Sequence, residues 1–236
     1  MEGRVRVNGV LATKAGANVA EDASIEIERP RRFVSRGGEK LERALLTFGI
    51  DPRGKRALDV GASTGGFTDC LLQHGASHVI AVDVGYGQLD WKLRNDPRVT
   101  VMERTNFRYV NDNALGERFD LIVIDASFIS LRTLLSRAHA HLAPHGEIVA
   151  LVKPQFEAGR KRVGRGGVVR DAAVHGAVLR EVRDAALQMG LVAVDVVASP
   201  LLGPAGNREF LLRLRTTGEP VSDAKIEAAA AEDALR

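Results

Sequence analysis

The chain has 236 residues, 45% of them hydrophobic and 27% charged, so it can bury one sizeable core with a small unit beside it. Its net charge of +3 is too small to indicate nucleic-acid binding, which local clusters of cations would have to supply. Cys70 is the only cysteine, which excludes an internal disulfide and a thiolate-rich zinc site, and we expect no metal.

The first predicted unit is a small β structure at residues 1–28. The run Val5-Arg6-Val7-Asn8-Gly9-Val10 alternates around an Asn-Gly pair typical of a hairpin turn, and residues 25–27 alternate again. A proline in Arg29-Pro30-Arg31-Arg32 cannot donate to a sheet. Residues 29–36 are therefore predicted to form a linker.

Strands and helices then alternate across residues 37–217. The predicted strands are 56–60, 78–82, 99–102, 119–124, 147–152, 191–198 and 209–215, and the predicted helices are 39–48, 67–74, 89–94, 131–142 and 171–189. Such alternation indicates an α/β fold with a mostly parallel seven-stranded sheet and helices on both faces. Residues 218–236 are predicted to form a tail helix, capped by Ser222, whose alanine-rich end frays.

A glycine-rich turn follows the first strand of this domain. It reads Asp59-Val60-Gly61-Ala62-Ser63-Thr64-Gly65-Gly66-Phe67, and bare backbone there can approach a ligand closely. Asp83, about twenty residues after Gly61 and at the end of the next strand, is a suitable acceptor for a ribose diol. Ser63 stands where a dinucleotide fingerprint has glycine, so the loop instead resembles the first motif of class I methyltransferases. The expected cofactor contacts here are Asp59, Gly61, Ala62, Ser63, Gly65, Gly66, Phe67 and Asp83.

Three further polar residues follow predicted strands. Asn106 lies where this fold presents a polar side chain to adenine, although an ordinary Asx turn is the alternative. Asp125 follows the fourth strand and Lys153 follows the fifth, at ends that face the ligand crevice of a parallel sheet. A lysine directly after five apolar residues is poorly hydrated, which favours its neutral, basic form. The alternative for each is a charge that merely emerges at a strand end.

Six blocks of sequence lie in order between residues 33 and 210. They are Phe33-Val34-Ser35-Arg36-Gly37-Gly38-Glu39-Lys40-Leu41, the run from Asp59 to Phe67, Asp83-Val84-Gly85-Tyr86-Gly87-Gln88-Leu89, Ile124-Asp125-Ala126-Ser127-Phe128-Ile129-Ser130, Val152-Lys153-Pro154-Gln155-Phe156-Glu157 and Gly206-Asn207-Arg208-Glu209-Phe210. Together they resemble the ribosomal RNA ribose 2'-O-methyltransferases once called hemolysin A proteins, which are related to the FtsJ-type RNA methyltransferases. The resemblance implies a Rossmann-like class I methyltransferase fold, S-adenosylmethionine as cofactor, and methyl transfer to a ribose 2'-hydroxyl of ribosomal RNA, with cytidine as the expected nucleotide.

The same resemblance implies a catalytic tetrad of Lys40, Asp125, Lys153 and Glu209. A ribose hydroxyl is a weak nucleophile, so a base and positioning groups are needed. We expect Lys153 to be the base, Asp125 to orient it and contact the cofactor, Lys40 to favour loss of its proton, and Glu209 to complete the network. Without the resemblance, Lys40 would be interpreted as part of a solvated, charged helix face.

Basic residues are candidate RNA contacts. Gly159-Arg160-Lys161-Arg162-Val163-Gly164-Arg165-Gly166-Gly167 combines four cations with four glycines after the catalytic strand, which predicts a phosphate-contacting loop or, alternatively, a solvated one. The N-terminal unit resembles the second half of an S4-type RNA-binding module, without the preceding pair of helices, so we expect weaker RNA binding than in a full-length relative. The expected RNA-binding residues are Arg4, Arg6, Arg31, Arg32, Arg36, Arg160, Lys161, Arg162 and Arg165.

Three other functions compete with RNA methylation. A membrane-damaging protein, which the older family name suggests, is opposed by the lack of a long apolar run and of a signal-peptide pattern in the sequence. A small-molecule methyltransferase would share the glycine loop but would not require the two lysines or the basic loop. A non-catalytic RNA-binding protein could retain the cofactor loop. We therefore expect a cytoplasmic enzyme whose partner is ribosomal RNA in ribosomal subunits, with no membrane association.

Overall fold

The computed structural model describes residues 5–12, 14, 16–27 and 32–232, in two compact units that divide after Arg32. The first unit is a three-stranded antiparallel sheet in which β1 (Val5–Val7) lies between β2 (Val10–Leu11) and β3 (Ile25–Ile27). Asn8 and Gly9 have φ of 50° and 78°, the left-handed conformations that a tight two-residue hairpin requires. The predicted hairpin is therefore present.

The second unit is built on a seven-stranded sheet. In chain order its strands are β4 (Arg56–Val60), β5 (His78–Val82), β6 (Val99–Met102), β7 (Phe119–Ile124), β8 (Leu142–Val152), β9 (Val192–Ala198) and β10 (Phe210–Arg215). Their spatial order is β6-β5-β4-β7-β8-β10-β9. Neighbours are parallel except around β10, which is antiparallel to both β8 and β9. The mostly parallel α/β sheet predicted from the sequence is confirmed.

Helices cover both faces of this sheet. They are α1 (Gly37–Phe48), α2 (Gly66–Gln73), α3 (Trp91–Arg94), α4 (Asp112–Leu115), α5 (Leu131–Ala140), α6 (Pro154–Glu157), α7 (Ala172–Gln188) and α8 (Asp223–Ala231). Alternate residues of the central strands enter two separate apolar clusters. Ile122 and Ile124 pack with α5 and α7, whereas Leu121 and Val123 pack with α1 and α2. The period-2 geometry of a strand thus produces one core on each face.

The start of β8 and the basic loop differ most from the prediction. β8 begins at Leu142 rather than at residue 147, because the backbone there already pairs with β7, and Gly146 has no side chain to block the Phe119 carbonyl. The basic loop contains two short 3₁₀ turns, Arg160–Arg162 and Arg165–Gly167, where the sequence indicated only a flexible segment.

Both ends of the second unit are packed more firmly than predicted. Phe33 is buried, and the Val34 amide donates a 2.8 Å hydrogen bond to Asp69 on α2, so the second half of the predicted linker belongs to this unit. Ser222 caps α8 as expected, but α8 does not lie free: Ile226 is buried where the helix packs against α7 and β9. A helix face made of alanines can pack closely against its neighbours even when the sequence shows only a weak amphipathic pattern, so the pattern did not predict this packing.

Candidate active site

A cavity of about 470 Å³ opens at the carboxyl edge of the sheet. Here β4 has β5 on one side and β7 on the other, which is the switch point where parallel α/β sheets bind ligands. The cavity is lined by Val60, Gly61, Ser63, Val82, Asp83, Val84, Gln88, Thr105, Asn106, Phe107, Asp125, Ala126, Ser127, Phe128, Ile129 and Leu134. Its volume suits a nucleoside-sized ligand.

Asp83 is held rigidly at one end of this cavity. The Ser63 amide donates to its Oδ2 at 2.8 Å, and the Gly85 amide donates to its Oδ1 at 2.7 Å. Ser63 has φ of 49°, so the loop turns here in a conformation that favours glycine, as in the dinucleotide pattern. Each carboxylate oxygen keeps a further lone pair, which can accept a ribose hydroxyl.

The glycines of the loop have different physical roles. Gly61 has φ of 87°, and a Cβ there would lie 2.7 Å from the Asp125 carbonyl oxygen, so glycine lets the loop pass the end of β7 beside the cavity. A Cβ on Gly65 would lie 2.3 Å from Leu93, and one on Gly66 would lie 2.3 Å from Ser35. Gly65 and Gly66 therefore permit close packing of α3 and α1.

Several predicted cofactor residues consequently lie outside the cavity lining. Ala62 and Phe67 are core residues, and Gly65 and Gly66 are covered by neighbouring helices. Asp59 is also fully buried beneath the loop. The sequence pattern could not separate glycines that face a ligand from glycines that face a helix, because both produce the same residue type.

Asp59 is a buried carboxyl that accepts a hydrogen bond from Thr68. Its Oδ2 accepts a 2.7 Å hydrogen bond from the Thr68 hydroxyl, while its Oδ1 has no hydrogen-bond partner among the described residues. Burial raises the pKa of Asp59 to about 7, against the lowering effect of the Thr68 hydrogen bond, and the nearby carboxylates of Asp125 and Asp83 add to the increase. A cation bound above the loop would favour its charged form.

Asn106 lines the far side of the cavity and also forms an Asx turn. Its side-chain oxygen accepts a 3.1 Å hydrogen bond from the Arg108 amide, which starts a 3₁₀ turn at Phe107–Tyr109. Both sequence interpretations of Asn106 are therefore compatible with its position. Thr105 and Phe107 join it in the lining but were not predicted, since only their position after β6 could have indicated them.

Lys153 and Asp125 form an ion pair beside the cavity. They follow the parallel neighbours β8 and β7, and Lys153 Nζ lies 2.6 Å from Asp125 Oδ1 and 2.8 Å from Ser127 Oγ. The Lys153 residue is only 8% exposed. The two strand-end charges are thus a single unit, and Ser127 is a partner that the sequence argument missed.

Lys40 and Glu209 form a second buried ion pair. Lys40 Nζ donates to Glu209 Oε2 at 2.5 Å, and the two residues are 9% and 2% exposed. Because β10 is antiparallel to β8, with Phe210 opposite Val152, Glu209 precedes β10 at the same sheet edge where Lys153 follows β8. Lys40 is therefore not part of a solvated helix face, and all four predicted tetrad residues lie at this edge.

The loop after Asp125 is anchored from α6. Glu157 Oε1 accepts from the Leu131 amide and its Oε2 accepts from the Ser130 hydroxyl, both at 2.7 Å. Phe128 has φ of 64°, is 90% exposed at the cavity rim, and contacts Phe156 with ring centroids 5.2 Å apart. An exposed phenylalanine in a left-handed conformation is costly, so Phe128 at the cavity rim is a candidate for contact with a substrate.

The basic loop divides into anchoring and exposed cations. Arg162 forms hydrogen bonds of 2.7 and 2.9 Å to Glu181 and another to the Ala158 carbonyl, so it holds the loop on α7. Arg160, Lys161 and Arg165 are exposed and form no ion pair with any described residue. These three remain candidates for phosphate contacts, whereas Arg162 is better explained as an anchor.

The other predicted RNA-binding residues are distributed over both units. Arg36 is exposed just before α1. Arg6 is half-buried on β1 and donates to the Gly9 carbonyl, and Arg32 is exposed at the end of the first unit. Arg4 and Arg31 lie outside the described residues.

Membrane-spanning helices were a feature of one competing function. In the described part of the chain, no helix combines the length and the apolar character that crossing a membrane requires.

Comparison with known proteins gives consistent matches. Residues 33–216 match a family described as FtsJ-like methyltransferase. The 16S/23S rRNA (cytidine-2'-O)-methyltransferase TlyA of Mycobacterium tuberculosis (strain ATCC 25618 / H37Rv) is 48% identical over 235 residues, which are 99% of this chain and 86% of that protein. The structure of a putative hemolysin from Streptococcus thermophilus is 42% identical with a TM-score of 0.83, covering 97% of this chain and 85% of that one. A putative S-adenosylmethionine dependent methyltransferase from Listeria monocytogenes, 16% identical with a TM-score of 0.54, covers 76% of this chain and 98% of that one and is similar in fold.

Proposed function

The chain belongs to the FtsJ-like methyltransferase family, and we propose that it methylates the ribose 2'-hydroxyl of a cytidine in ribosomal RNA, using S-adenosylmethionine. The observation that carries this proposal is the arrangement of two ion pairs, Lys153–Asp125 and Lys40–Glu209, at the sheet edge that holds the cavity. The relative from Mycobacterium tuberculosis is named for cytidine-2'-O methylation of 16S and 23S rRNA.

The residues of the cavity fit S-adenosylmethionine. All four of Asp83, Asn106, Phe107 and Asp125 line the cavity: Asp83 would accept hydrogen bonds from the ribose hydroxyls, Asn106 and Phe107 would contact adenine, and Asp125 would contact the methionine part. When bound, S-adenosylmethionine supplies an activated methyl group on a sulfonium, so the protein has to activate and place only the acceptor.

We assign the role of base to Lys153. In its neutral form, the amine would take the proton of the ribose hydroxyl as the oxygen bonds to the methyl carbon and the carbon–sulfur bond breaks. Asp125 lies 2.6 Å from this amine as its ion-pair partner and stabilises the ammonium that results. The Lys40–Glu209 ion pair forms a second buried dipole beside Lys153. The charges of Lys40 and Glu209 compensate each other, so neither is left unpaired.

The substrate proposal draws on charge as well as on relatives. Arg160, Lys161 and Arg165 extend from the loop that follows α6, and Arg162 fixes that loop on α7. Exposed cations with glycine on either side suit contact with the phosphates of a folded RNA. A ribosomal substrate would also place the protein in the cytoplasm, where ribosomal subunits are assembled.

The test is transfer of labelled methyl from S-adenosylmethionine to purified ribosomal subunits, followed by mapping of 2'-O-methylated nucleotides. Lys153→Ala is expected to reduce transfer at least a hundredfold, since a general base contributes about 10²–10⁴ in rate. Lys55→Ala is the matched control, because Lys55 precedes β4 at the opposite edge of the sheet. Undiminished transfer by the Lys153 variant would refute the assigned base. No transfer to any RNA by the unmutated chain would favour a non-catalytic RNA-binding protein.

A further inference from the structure

Ser127 connects the candidate base to the cavity. Its Oγ lies 2.8 Å from Lys153 Nζ, and Ser127 lines the cavity, whereas the Lys153 side chain is buried beside it. Asp125 occupies a second side of the same amine at 2.6 Å. The amine of the candidate base is therefore held by a hydrogen bond that it donates to Ser127 and by an ion pair with Asp125, and both of these residues line the cavity.

A hydrogen bond sets the direction of an amine more strictly than an ion pair does, because a hydrogen bond depends on the angle at the donor whereas Coulomb attraction depends on distance. The Lys153 nitrogen is tetrahedral, with one corner bonded to Cε and a second directed to Ser127 Oγ. When the amine is neutral, one of the two remaining corners carries the lone pair, so the Ser127 hydrogen bond restricts the directions that the lone pair can take. With Asp125 alone, the amine could rotate about that one contact and the lone pair would sample several directions.

We propose that Ser127 is a positioning residue, which directs the Lys153 lone pair toward the ribose hydroxyl of the substrate. This inference rests on the proposed ribose methylation and extends it to a residue outside the tetrad. In the step, the hydroxyl proton would move to Lys153 Nζ while the hydroxyl oxygen bonds to the methyl carbon and the carbon–sulfur bond of S-adenosylmethionine breaks, so that the sulfur leaves as a neutral thioether. Ser127 accepts an N–H of the amine throughout and neither gains nor loses a proton.

The hydroxyl of Ser127 is not needed to hold its loop in place. Glu157 fixes the loop through Ser130 and Leu131, and the rings of Phe128 and Phe156 are in contact. Ser127 itself is exposed. Removal of the hydroxyl should therefore change the amine rather than the loop.

The experiment compares Ser127→Ala with Ser127→Thr in methyl transfer to ribosomal subunits. We expect Ser127→Ala to lower kcat about tenfold, while KM for subunits and Kd for S-adenosylmethionine stay within about twofold. Ser127→Thr keeps a hydroxyl and should restore kcat to within about threefold. Ser136→Ala, on the exposed face of α5, is the matched control for loss of a serine hydroxyl.

A double variant tests whether Ser127 acts through Lys153. In the Lys153→Ala background, Ser127→Ala should change the residual rate by less than about twofold, because there is no amine left to orient. An undiminished kcat for Ser127→Ala, an equal loss in Ser127→Thr, a matching loss of cofactor affinity or an additive double variant would each overturn the inference. Failure of the unmutated chain to methylate subunits would instead refute the proposed function, so the two failures are distinguishable.

Discussion

Replacement of Asp59 by asparagine should change how the stability of this protein depends on pH. Burial raises the pKa of Asp59 from 3.8 to about 7, so the folded chain holds a proton there that the unfolded chain has lost. Between these two values the folded state binds more protons than the unfolded state. Stability contributed by this group is therefore fully present below pH 3.8 and is lost as pH rises toward 7 and slightly beyond.

The magnitude follows from the two pKa values. The difference between 3.8 and about 7 corresponds to about 4 kcal/mol in total, of which about 3 kcal/mol is lost between pH 5 and pH 8. An asparagine side chain cannot titrate, so Asp59→Asn should remove this loss. An unsatisfied amide in the buried site would cost about 1–3 kcal/mol, but that cost does not depend on pH and cancels in the comparison.

The assay is urea unfolding of both proteins, without cofactor, at pH 5 and pH 8. From pH 5 to pH 8, we expect the unmutated chain to lose about 3 kcal/mol more of its unfolding free energy than Asp59→Asn loses. Asp184→Asn, which removes an exposed carboxyl on α7, is the control and should show no such difference. Equal pH dependence of all three proteins would show that Asp59 is ionised in the folded state and would refute the reasoning.

Three further predictions concern packing and charge. Glu209→Gln leaves Lys40 buried without its counter-charge, so urea unfolding should show a free energy of unfolding lower by about 3–5 kcal/mol. A change below about 1 kcal/mol would show that the pair is solvated. Gly65→Ala combines a positive φ of 95° with a new Cβ only 2.3 Å from Leu93 Cδ1 on α3, so it should destabilise the fold by about 1–3 kcal/mol in thermal unfolding, while the folded protein keeps its cofactor affinity. A large loss of affinity would instead show that Gly65 contacts the ligand. Arg165→Gln removes an exposed cation and should reduce the slope of log affinity for ribosomal RNA against log salt concentration by about 0.7–0.9. Arg162→Gln removes the anchor to Glu181 and should mainly speed tryptic cleavage of the loop. Identical behaviour of the two variants would contradict the division into exposed and anchoring cations.

Much of the fold could be predicted from local patterns. Strands β4, β5 and β7 consist mostly of buried residues and end just before a charged or glycine position, and such runs are visible without knowledge of the partner strands. Their boundaries agree with the structure because both faces of a parallel sheet are covered, which demands continuous apolar sequence. The start of β8 was missed because residues 142–146 include Pro144, His145 and Gly146, and only the pairing with β7 makes them a strand.

The glycine loop shows where residue type alone is ambiguous. Gly61 and Ser63 line the cavity, whereas Gly65 and Gly66 face helices α3 and α1. A glycine indicates that something comes close to the backbone, but not whether that neighbour is a ligand or a helix. Ser127, by contrast, carries no sequence signal at all. A serine two residues after a strand-end aspartate has no distinctive pattern, and only its distance from Lys153 in the structure indicates a role.

The sequence by itself determined the parallel α/β architecture, the switch-point loop, the place of Asp83 beside that loop and the two strand-end charges Asp125 and Lys153. Each of these depends on neighbours within a few residues, or on the rule that parallel strands end at one edge. The Lys40–Glu209 pair joins residues 169 positions apart, and only the tertiary structure brings them together. In a parallel strand, the residue before the strand would lie at the opposite edge of the sheet. Because β10 runs antiparallel to β8, Glu209, which precedes β10, lies at the same edge as Lys153, which follows β8.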